Sequence, residues 1–306
     1  MAESIGGTKP LGCGRGGNIN FISILAIIVV SILAIIILRY VWLWWSRIRS
    51  KVALSDKDWV SDCFEVATAK ITDAEIDFSN VRDFTWRTLK DHDVKWIDVK
   101  VNADEIVDVW YVIDHFHKVR GLAHTMLSFE FKDGTVLTFS FECRREVGEK
   151  YHPWDGLWRS YELYLLVSTE RDALYLRTNS RSHKVHLFRA QTPPGKEKAL
   201  LLQLCQRLNQ LSQKPEWYHT LTASCATAIV EQVNAITPGR IPFMWRTFLP
   251  GHSARAAWKL KLIEDWGGYE ETLAASRIDQ HATNWDGKGD YSRHIRENLP
   301  PSPHRD

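Results

Sequence analysis

The sequence predicts an α+β domain, in which an antiparallel sheet packs on helices, preceded by one transmembrane helix. Three observations support this fold class. An apolar run without charge covers residues 21–38. Two segments of alternating polarity, 124–131 and 136–142, flank a turn sequence and predict a β-hairpin. Apolar residues recur at three- and four-residue spacing in 194–213 and 225–236, the pattern of helices with one buried face.

The composition is that of an ordinary globular protein, apart from 14 tryptophans among 306 residues. This length accommodates one domain of about 200 to 250 residues with additional segments. The net charge of +2 does not indicate a nucleic-acid surface, so we predict no nucleic acid as a partner. The five cysteines are Cys13, Cys63, Cys143, Cys205 and Cys225. Their odd number and the lack of a CxxC pair argue against a zinc ribbon and a complete disulfide framework, and we predict no cofactor.

The N-terminal part of the chain is predicted to anchor it in a membrane. Residues 1–20 are small, polar and rich in glycine, which predicts disorder. Residues 21–45 are predicted to form a transmembrane helix, because the apolar run nearly crosses the hydrocarbon core and the Tyr/Trp cluster after it suits the interface. No small-residue cleavage site follows, so we expect a retained anchor rather than a removed signal peptide.

The basic residues that flank this helix bear on its orientation. Four of them follow the apolar run and two precede it: Arg39, Arg47, Arg49 and Lys51 against Lys9 and Arg15. Counted by the positive-inside rule, this distribution places the globular part in the cytoplasm.

After the anchor, residues 46–75 are predicted to be a linker with helical character, and 76–285 the globular domain. Its first extended segments are predicted at 76–79 continuing to 84–87, at 94–100 and at 107–116. The last of these runs into Asp114-His115-Phe116-His117, where His115 and His117 face the same side of a continued strand. They indicate either a metal site or a solvated strand end. Because no third ligand is evident, we predict no metal.

The predicted hairpin is the clearest local structure, with its turn at Lys132-Asp133-Gly134-Thr135. Polarity predicts its register: with Phe129 opposite Phe139 and Leu127 opposite Phe141, one side is uniformly apolar. The other side then carries His124, Met126, Ser128, Thr138, Ser140 and Glu142.

In this register Glu142 lies diagonally across from His124, within reach of the imidazole. A carboxylate in that position orients a catalytic histidine and stabilises its imidazolium form. The alternative is that these residues form the water-facing side of an edge hairpin.

Three more strands are predicted downstream, at 161–168, 173–178 and 184–189, with a turn at 170–172. A helix at 194–213 follows, whose buried side includes Cys205. A further helical segment is predicted around 254–263, and 286–306 is predicted to be a flexible tail.

Cys225 is predicted to lie in the first turn of the helix at 225–236. Unpaired backbone N–H groups and the helix dipole stabilise a thiolate at that position. Thr222 or Ser224 is expected to cap the turn. A nucleophilic thiol also needs a base, for which His124 is the best candidate. The alternative is that Cys225 is a small buried hydrophobe, as most free cysteines are.

Several motifs together resemble the Lnb N-terminal periplasmic domain family. In chain order they are Asn80-Val81-Arg82-Asp83-Phe84, Ala123-His124-Thr125, Ser128-Phe129 with Asp133-Gly134, Ser140-Phe141-Glu142-Cys143-Arg144-Arg145-Glu146, Glu162-Leu163-Tyr164, Glu170-Arg171-Asp172, Leu176-Arg177-Thr178-Asn179, Pro215-Glu216-Trp217-Tyr218 and Cys225-Ala226-Thr227. The resemblance runs from about residue 78 to about residue 296.

This resemblance implies a permuted papain-like (NlpC/P60-like) thiol fold, in which the histidine strand precedes the cysteine helix. Characterised Lnb enzymes are bacterial lipoprotein N-acyltransferases, which move a fatty acyl chain from a phospholipid, through a thioester, to the amine of a lipoprotein's terminal cysteine. Carried over by motif, Cys225 is the nucleophile, His124 its base and Glu142 the orienting acid. Arg144 is then a neighbour that holds this carboxylate or a lipid head group, and Ser140 and Ser224 are supporting residues.

The family usually has Asn-Cys-Thr-Thr where this chain has Ser224-Cys225-Ala226-Thr227. The Cys225 backbone N–H remains available to an oxyanion. Three functions therefore stay open: a thiol acyltransferase that uses phospholipid and a lipoprotein N-terminus, a thiol peptidase or amidase of the cell envelope, and a membrane-tethered binding domain with a degenerate site.

The resemblance also implies a location that differs from the charge count. It places a single-pass protein in the bacterial inner membrane with its globular domain in the periplasm. We follow the resemblance, because flanking charges are only one influence on a signal anchor.

Overall fold

The computed structural model describes residues 21–242 and 249–302. The chain divides into two units, one that ends at Lys51 and one that begins at Val52. The predicted disorder of residues 1–20 lies outside the described residues, as does the end of the predicted tail, 303–306.

The first unit is a long apolar helix. Helix α1 spans Phe21–Leu43, and a π-helical turn, Trp44–Ile48, follows it. The span Phe21–Ser46 contains an 18-residue window with a mean hydropathy of 3.4, no part of which is buried in the protein. At about 1.5 Å per residue this span exceeds the hydrocarbon core of about 30 Å. Within the described part of the chain it is the one helix long and apolar enough to cross a membrane, and it coincides with the predicted segment 21–45.

The second unit is a mixed α+β domain. Its strands are β1 Thr68–Thr72, β2 Glu75–Arg82, β3 Thr85–Trp86, β4 His92–Asp93, β5 Trp96–Asn102, β6 Ile106–His115, β7 His124–Phe131, β8 Val136–Arg144, β9 Glu162–Thr169 and β10 Lys184–Arg189. Its α-helices are α2 Glu170–Tyr175, α3 Lys196–Gln213, α4 Cys225–Ile236, α5 Ser253–Lys259, α6 Tyr269–Ala275, α7 Asp279–Ala282 and α8 Tyr291–His294. A π-helical turn, Leu176–Ser180, continues α2.

One eight-stranded sheet organises this domain. Its strands follow the order β1-β2-β9-β8-β7-β6-β10, and β5 pairs with β2 outside this path. The pairings are antiparallel except for that of β2 with β9. The predicted hairpin, β7 and β8, therefore lies inside the sheet. Its Ser128, Thr138 and Ser140 are fully buried, so the alternative of a water-facing edge hairpin is wrong.

Helices cover both faces of the sheet. Helices α3 and α4 pack on the face that carries Phe129, Leu137 and Phe139, where they form the main core. The opposite face carries Met126 and packs against α2 and the C-terminal helices, which contribute Leu174 among other residues. Side chains alternate between the two faces along each strand. Since helices pack on both faces of the sheet, both faces of β7 are buried.

The turn of the predicted hairpin is confirmed, but its register is wrong by two residues. Leu127 pairs with Phe139, whereas polarity predicted Phe141 as its partner. A shift of two residues keeps every side chain on its own face, so the separation of polar and apolar sets survives. The pairing of β7 with β8 ends at Leu127 and Phe139, and beyond it His124 Nε2 lies 3.6 Å from Glu142 Oε1.

The predicted strand at 173–178 is also wrong, because these residues belong to α2 and its π-helical continuation. Thr169 is the N-cap of α2 and accepts a hydrogen bond from the Asp172 backbone N–H at 3.3 Å. The predicted turn at 170–172 is thus the first turn of this helix. A threonine cap followed by acidic residues is a favourable helix start, which the strand prediction overlooked.

Two predicted domain boundaries differ from the structure. Residues 52–75 are part of the domain rather than a linker: they include β1, and Trp59 and Cys63 are buried in a small apolar cluster. Residues 286–302 are not a free tail, since Tyr291 and Ile295 are each only 1% exposed. The Arg189 guanidinium also donates hydrogen bonds to the carbonyl oxygens of Pro300 and Pro301.

Candidate active site

Cys225 is the first residue of α4, as predicted, and Ser224 is the N-cap residue. The Ser224 backbone N–H donates to the Thr227 hydroxyl at 2.8 Å, which fixes the entry into the helix. Cys225 is 7% exposed and belongs to the main core cluster. Its backbone N–H is among those at a helix start that have no partner within the helix. The thiol therefore lies at the positive end of the α4 dipole.

His124 begins β7, and its imidazole takes part in a short chain of hydrogen bonds. Ser140 donates its hydroxyl proton to Glu142 Oε1 at 2.9 Å, so its oxygen accepts from His124 Nε2, which lies 2.6 Å away. His124 Nε2 is also 3.6 Å from Glu142 Oε1. Because Nε2 is engaged with Ser140 and Glu142, Nδ1 is the nitrogen left to exchange a proton with Cys225. The structure thus brings His124, Ser140 and Glu142 together.

Arg177 holds the Glu142 carboxylate through the same oxygen that accepts from Ser140. Its Nη2 donates to Glu142 Oε1 at 2.8 Å, and its Nε lies 3.2 Å from Asp114 Oδ2. The Arg177 side chain is 4% exposed, and its Nη1 also donates to the Ala173 carbonyl oxygen at 2.8 Å. Asp114 in turn contacts His183 Nδ1 at 2.8 Å. A buried guanidinium between two carboxylates fixes both of them, so Glu142 is a rigid partner for the imidazole.

The ionisation of these groups is coupled. Burial raises the pKa of the Cys225 thiol, but the charge and hydrogen bond of His124 outweigh it, and the net pKa is lowered. Burial alone lowers the pKa of His124, but Cys225 and Glu142 raise it to about 9. Despite its burial, Glu142 has a pKa well below its ordinary value, because His124, Arg177 and Arg82 stabilise the carboxylate. These directions favour a thiolate–imidazolium pair, the reactive form of a cysteine nucleophile.

Thr125 and Tyr111 complete the surroundings of the sulfur. The Thr125 backbone N–H and hydroxyl both lower the pKa of Cys225. Among the described residues this hydroxyl makes no hydrogen bond of ordinary geometry, and it also lowers the pKa of Tyr111. Tyr111 donates to or accepts from the Ser253 hydroxyl at 2.7 Å, and burial raises the pKa of this tyrosine, with the nearby Cys225 charge adding to the rise.

An apolar cavity of about 220 Å³ adjoins this group. One wall is the apolar stripe of α4, which the sequence predicted to be a buried helix face: Ala226, Ile229, Val230, Val233 and Ile236. Tyr111 and Leu127 line it from the sheet, and α5 supplies Ala256 and Ala257. Cys225 and His124 are not themselves lining residues, but the cavity includes Ala226, which follows Cys225, and Tyr111, whose pKa the Cys225 charge raises.

Two other predicted site residues play different parts. Arg144 donates to the carbonyl oxygens of Cys63 and Phe64, and its guanidinium lies 4.2 Å from the Trp59 ring centroid. The arginine that binds Glu142 is therefore Arg177, not Arg144. Ser224 acts as the helix cap described above, and no substrate role is needed to explain its place.

His115 and His117 do not face the same side of one continued strand. Strand β6 ends at His115, whose ring packs edge-on against His186 at 5.6 Å. His117 lies beyond the strand, and its Nδ1 accepts from the Val119 backbone N–H at 3.1 Å.

The other described cysteines have raised thiol pKa values, in contrast to Cys225. Burial raises the pKa of Cys63 to about 11 and that of Cys205 to about 12, and it raises the pKa of Cys143 as well. Cys205 lies in the main core, as predicted. All four described cysteines are free thiols.

Arg177 and Asp114 are the residues that sequence reasoning missed. Both were visible as charges in otherwise apolar segments, in Leu174–Thr178 and at the end of the strand that precedes the hairpin. Such buried charges must be paired, which is a usable signal. The wrong strand prediction for 173–178 concealed that Arg177 faces the hairpin.

Comparison with known protein families matches residues 92–251 to the Lnb N-terminal periplasmic domain. The match covers more than half of the 306 residues and contains His124, Glu142, Arg177 and Cys225. Searches of curated proteins and of solved structures gave no match. A periplasmic domain family and one N-terminal apolar helix fit a single-pass membrane protein with a periplasmic domain. The chain belongs to the Lnb N-terminal periplasmic domain family.

Proposed function

We propose that this protein is a membrane-anchored thiol acyltransferase, in which Cys225 carries a fatty acyl chain as a thioester. The observation that supports this function is an apolar cavity lined by Ala226 and Tyr111, both neighbours of a thiol that is paired with an imidazole. The thiol and His124 supply the nucleophile and the base. The cavity supplies a place for a hydrocarbon chain, which a peptide substrate does not need.

The first half-reaction follows from the coupled pair. The Cys225 thiolate attacks the ester carbonyl carbon of a phospholipid, so that a C–S bond forms and the C–O bond to glycerol breaks. The leaving alkoxide takes a proton from the His124 imidazolium, which yields a lysophospholipid and the acyl-thioester. The Cys225 backbone N–H, at the start of α4, is placed to stabilise the oxyanion that forms between these states.

The second half-reaction returns the site to its starting state. An acceptor amine attacks the thioester carbonyl, a C–N bond forms, and the C–S bond breaks. The amine proton passes to His124, which restores the thiolate–imidazolium pair. The family resemblance suggests a phospholipid donor and the N-terminal amine of a bacterial lipoprotein as the acceptor, both at the periplasmic surface of the inner membrane. It also suggests a permuted papain-like arrangement, and β7 precedes α4 in agreement with that order.

The cavity favours an acyl chain over a polar substrate. From Ala226 to Ile236 it follows α4 for about 15 Å at about 1.5 Å per residue, the length scale of a fatty acyl chain. Each methylene buried there contributes about 0.8 kcal/mol of transfer free energy. A peptidase or amidase using the same thiol and imidazole needs a cleft with polar groups for peptide bonds, whereas this cavity is lined mainly by apolar side chains, with Gln191, Lys196 and Arg240 among its polar ones.

Intact mass spectrometry tests the proposal. The detergent-purified chain, incubated with dipalmitoyl phosphatidylethanolamine, is expected to gain one palmitoyl mass, which neutral hydroxylamine removes as it removes a thioester. Cys225→Ser is expected to gain no hydroxylamine-sensitive mass, whereas Cys143→Ser, the matched control, gains it like the wild type. Free palmitate without an adduct, at equal rates with and without an amine acceptor, would favour a hydrolase. If neither an adduct nor palmitate release is detected, the protein is a membrane-tethered binding domain with a degenerate site.

A bulky side chain in the cavity is expected to separate lipid chemistry from thiol reactivity. Val233→Trp fills the groove about two turns beyond Cys225, so acylation by the long-chain phospholipid falls at least about tenfold through overpacking of the site. Alkylation of Cys225 by iodoacetamide, which needs no groove, stays unchanged. Glu231→Trp, at an exposed position of the same helix, is the control and retains acylation. Equal acylation of both variants would contradict the cavity as the acyl site.

A further inference from the structure

A second group of side chains, outside the matched family region, converges near the C-terminus. We propose that His281, His294 and Glu297 form a binding site for a divalent transition metal such as Zn²⁺. His281 Nε2 lies 3.0 Å and His294 Nδ1 lies 3.5 Å from the same carboxylate oxygen, Glu297 Oε2. One ligand atom from each of the three residues lies within 4.8 Å of the other two.

The hydrogen bond on the other ring nitrogen of His294 supports this assignment. His294 Nε2 lies 3.1 Å from the His281 carbonyl oxygen, which can only accept, so Nε2 carries the proton. In the neutral ring, Nδ1 then presents its lone pair, and it is Nδ1 that faces Glu297. Histidine ligands in metal sites usually donate their other N–H to a carbonyl or carboxylate in this way, which fixes the tautomer and the ring orientation.

The spacing also suits the metal. With metal–ligand bonds of about 2.0 to 2.1 Å, the ligand atoms of a tetrahedral site are about 3.4 Å apart. The two distances to Glu297 Oε2, 3.0 and 3.5 Å, bracket this value. The two imidazole rings stack at 4.2 Å between centroids, with 16° between their planes, so at least one ring must turn for both nitrogens to face the same ion.

The backbone that carries these ligands is rigidly held. His281 belongs to α7 and His294 to α8, and the buried Ala282 and Ile295 beside them pack in one apolar cluster. Arg296, adjacent to Glu297, donates to both carboxylate oxygens of the buried Glu170, at 2.5 and 2.9 Å. A site on fixed elements pays little ordering entropy when the ion binds.

The donor set indicates which ions fit. Two imidazoles and one carboxylate suit Zn²⁺, Co²⁺ or Ni²⁺, whereas Ca²⁺ and Mg²⁺ prefer sites made of oxygen atoms. Three protein ligands leave a fourth tetrahedral position for water. The sequence did not suggest this site, because His281 is separated from the His294-x-x-Glu297 pair by an intervening turn. The earlier prediction of no metal rested on His115 and His117, which do not take part.

Metal titration of the full chain in detergent, without a polyhistidine tag and after dialysis against a chelator, tests the proposal. Zn²⁺ is expected to bind at one equivalent per chain and to raise the melting temperature, since an ion that binds only the folded state stabilises it. Co²⁺ is expected to show the visible absorption bands of a four-coordinate site. His294→Gln and Glu297→Gln each weaken Zn²⁺ binding at least about tenfold, because each removes a direct ligand.

Two controls keep the result interpretable. His117→Gln removes an exposed imidazole elsewhere and should retain full binding, and the metal-free melting temperature of each variant shows whether it folds. Glu297 is 54% exposed, so its replacement is expected to leave the metal-free protein folded. No saturable binding to the wild type, or equal binding by wild type, His294→Gln and Glu297→Gln, would mean that these residues form only hydrogen-bonded pairs and would overturn the site.

Discussion

Replacing His124 with Gln is expected to slow alkylation of Cys225 at neutral pH by about ten- to a hundredfold, because the thiolate fraction falls. Burial by itself raises the pKa of this thiol, and His124 is the main group that lowers it. Without the imidazolium, only Thr125 and the positive end of α4 oppose the effect of burial. The rate of iodoacetamide modification, followed on the peptide that contains Cys225, measures the effect directly.

The pH dependence of the alkylation rate shows in which direction the substitution shifts the pKa of Cys225. In the wild type, the alkylation rate is expected to rise through a midpoint below the ordinary cysteine pKa, since the Cys225 pKa is lowered. His124, with a pKa of about 9, stays protonated above neutral pH and keeps the ion pair in place there. In His124→Gln the midpoint moves to higher pH. His117→Gln is the control, and identical midpoints for the wild type and His124→Gln would show that the imidazole does not activate the thiol.

Asp172→Asn is expected to lower the free energy of unfolding by about 3 to 5 kcal/mol, since breaking a buried ion pair leaves a buried charge without its partner. Asp172 has no exposed side-chain surface, and the Arg82 guanidinium donates to both its oxygens at 2.7 and 3.0 Å. The Phe84 backbone N–H and the Trp86 indole N–H also donate to this carboxylate. Urea unfolding of the detergent-purified chain, monitored by tryptophan fluorescence, measures the change.

An exposed pair provides the matched control for this substitution. Asp93 accepts from Arg87 at 2.7 Å, but its side chain is 65% exposed. Asp93→Asn is expected to change the free energy of unfolding by at most about 1 kcal/mol, as is usual for surface pairs. Similar losses in the two variants would show that Asp172 is not a central support of the fold.

Much of the fold was accessible from sequence periodicity. Several elements were predicted close to their observed positions: the apolar anchor, strands β6 to β10, and helices α3 and α4. Helix α2, between β9 and β10, was not. The elements that were predicted have strong patterns: a long apolar run, alternation with period two, or a stripe with period 3.6. Local patterns of this kind do not specify pairing, which is why the hairpin register was wrong by two residues. The face assignment survived because it depends only on parity.

The candidate site was predictable in part. Cys225, His124, Ser140 and Glu142 were named from the sequence, and the structure brings His124, Ser140 and Glu142 into one hydrogen-bonded chain beside the thiol. Their catalytic roles remain predictions. The arginine partner of Glu142 was not found, because Arg177 reaches it from a helix that was predicted to be a strand. Likewise, the stripe on α4 predicted only burial, and the sequence alone does not reveal that it faces a cavity.

The distribution of thiol acidity has a consequence for oxidative damage. Among the described cysteines, Cys225 alone has a lowered pKa, whereas burial keeps Cys63, Cys143 and Cys205 protonated. Peroxide attacks thiolates, so in an oxidising compartment it would convert Cys225 selectively to a sulfenic acid. A sulfenic acid lacks the thiolate that the proposed acyl transfer requires. A protein of this design would then depend on an external reductant to recover after oxidative stress.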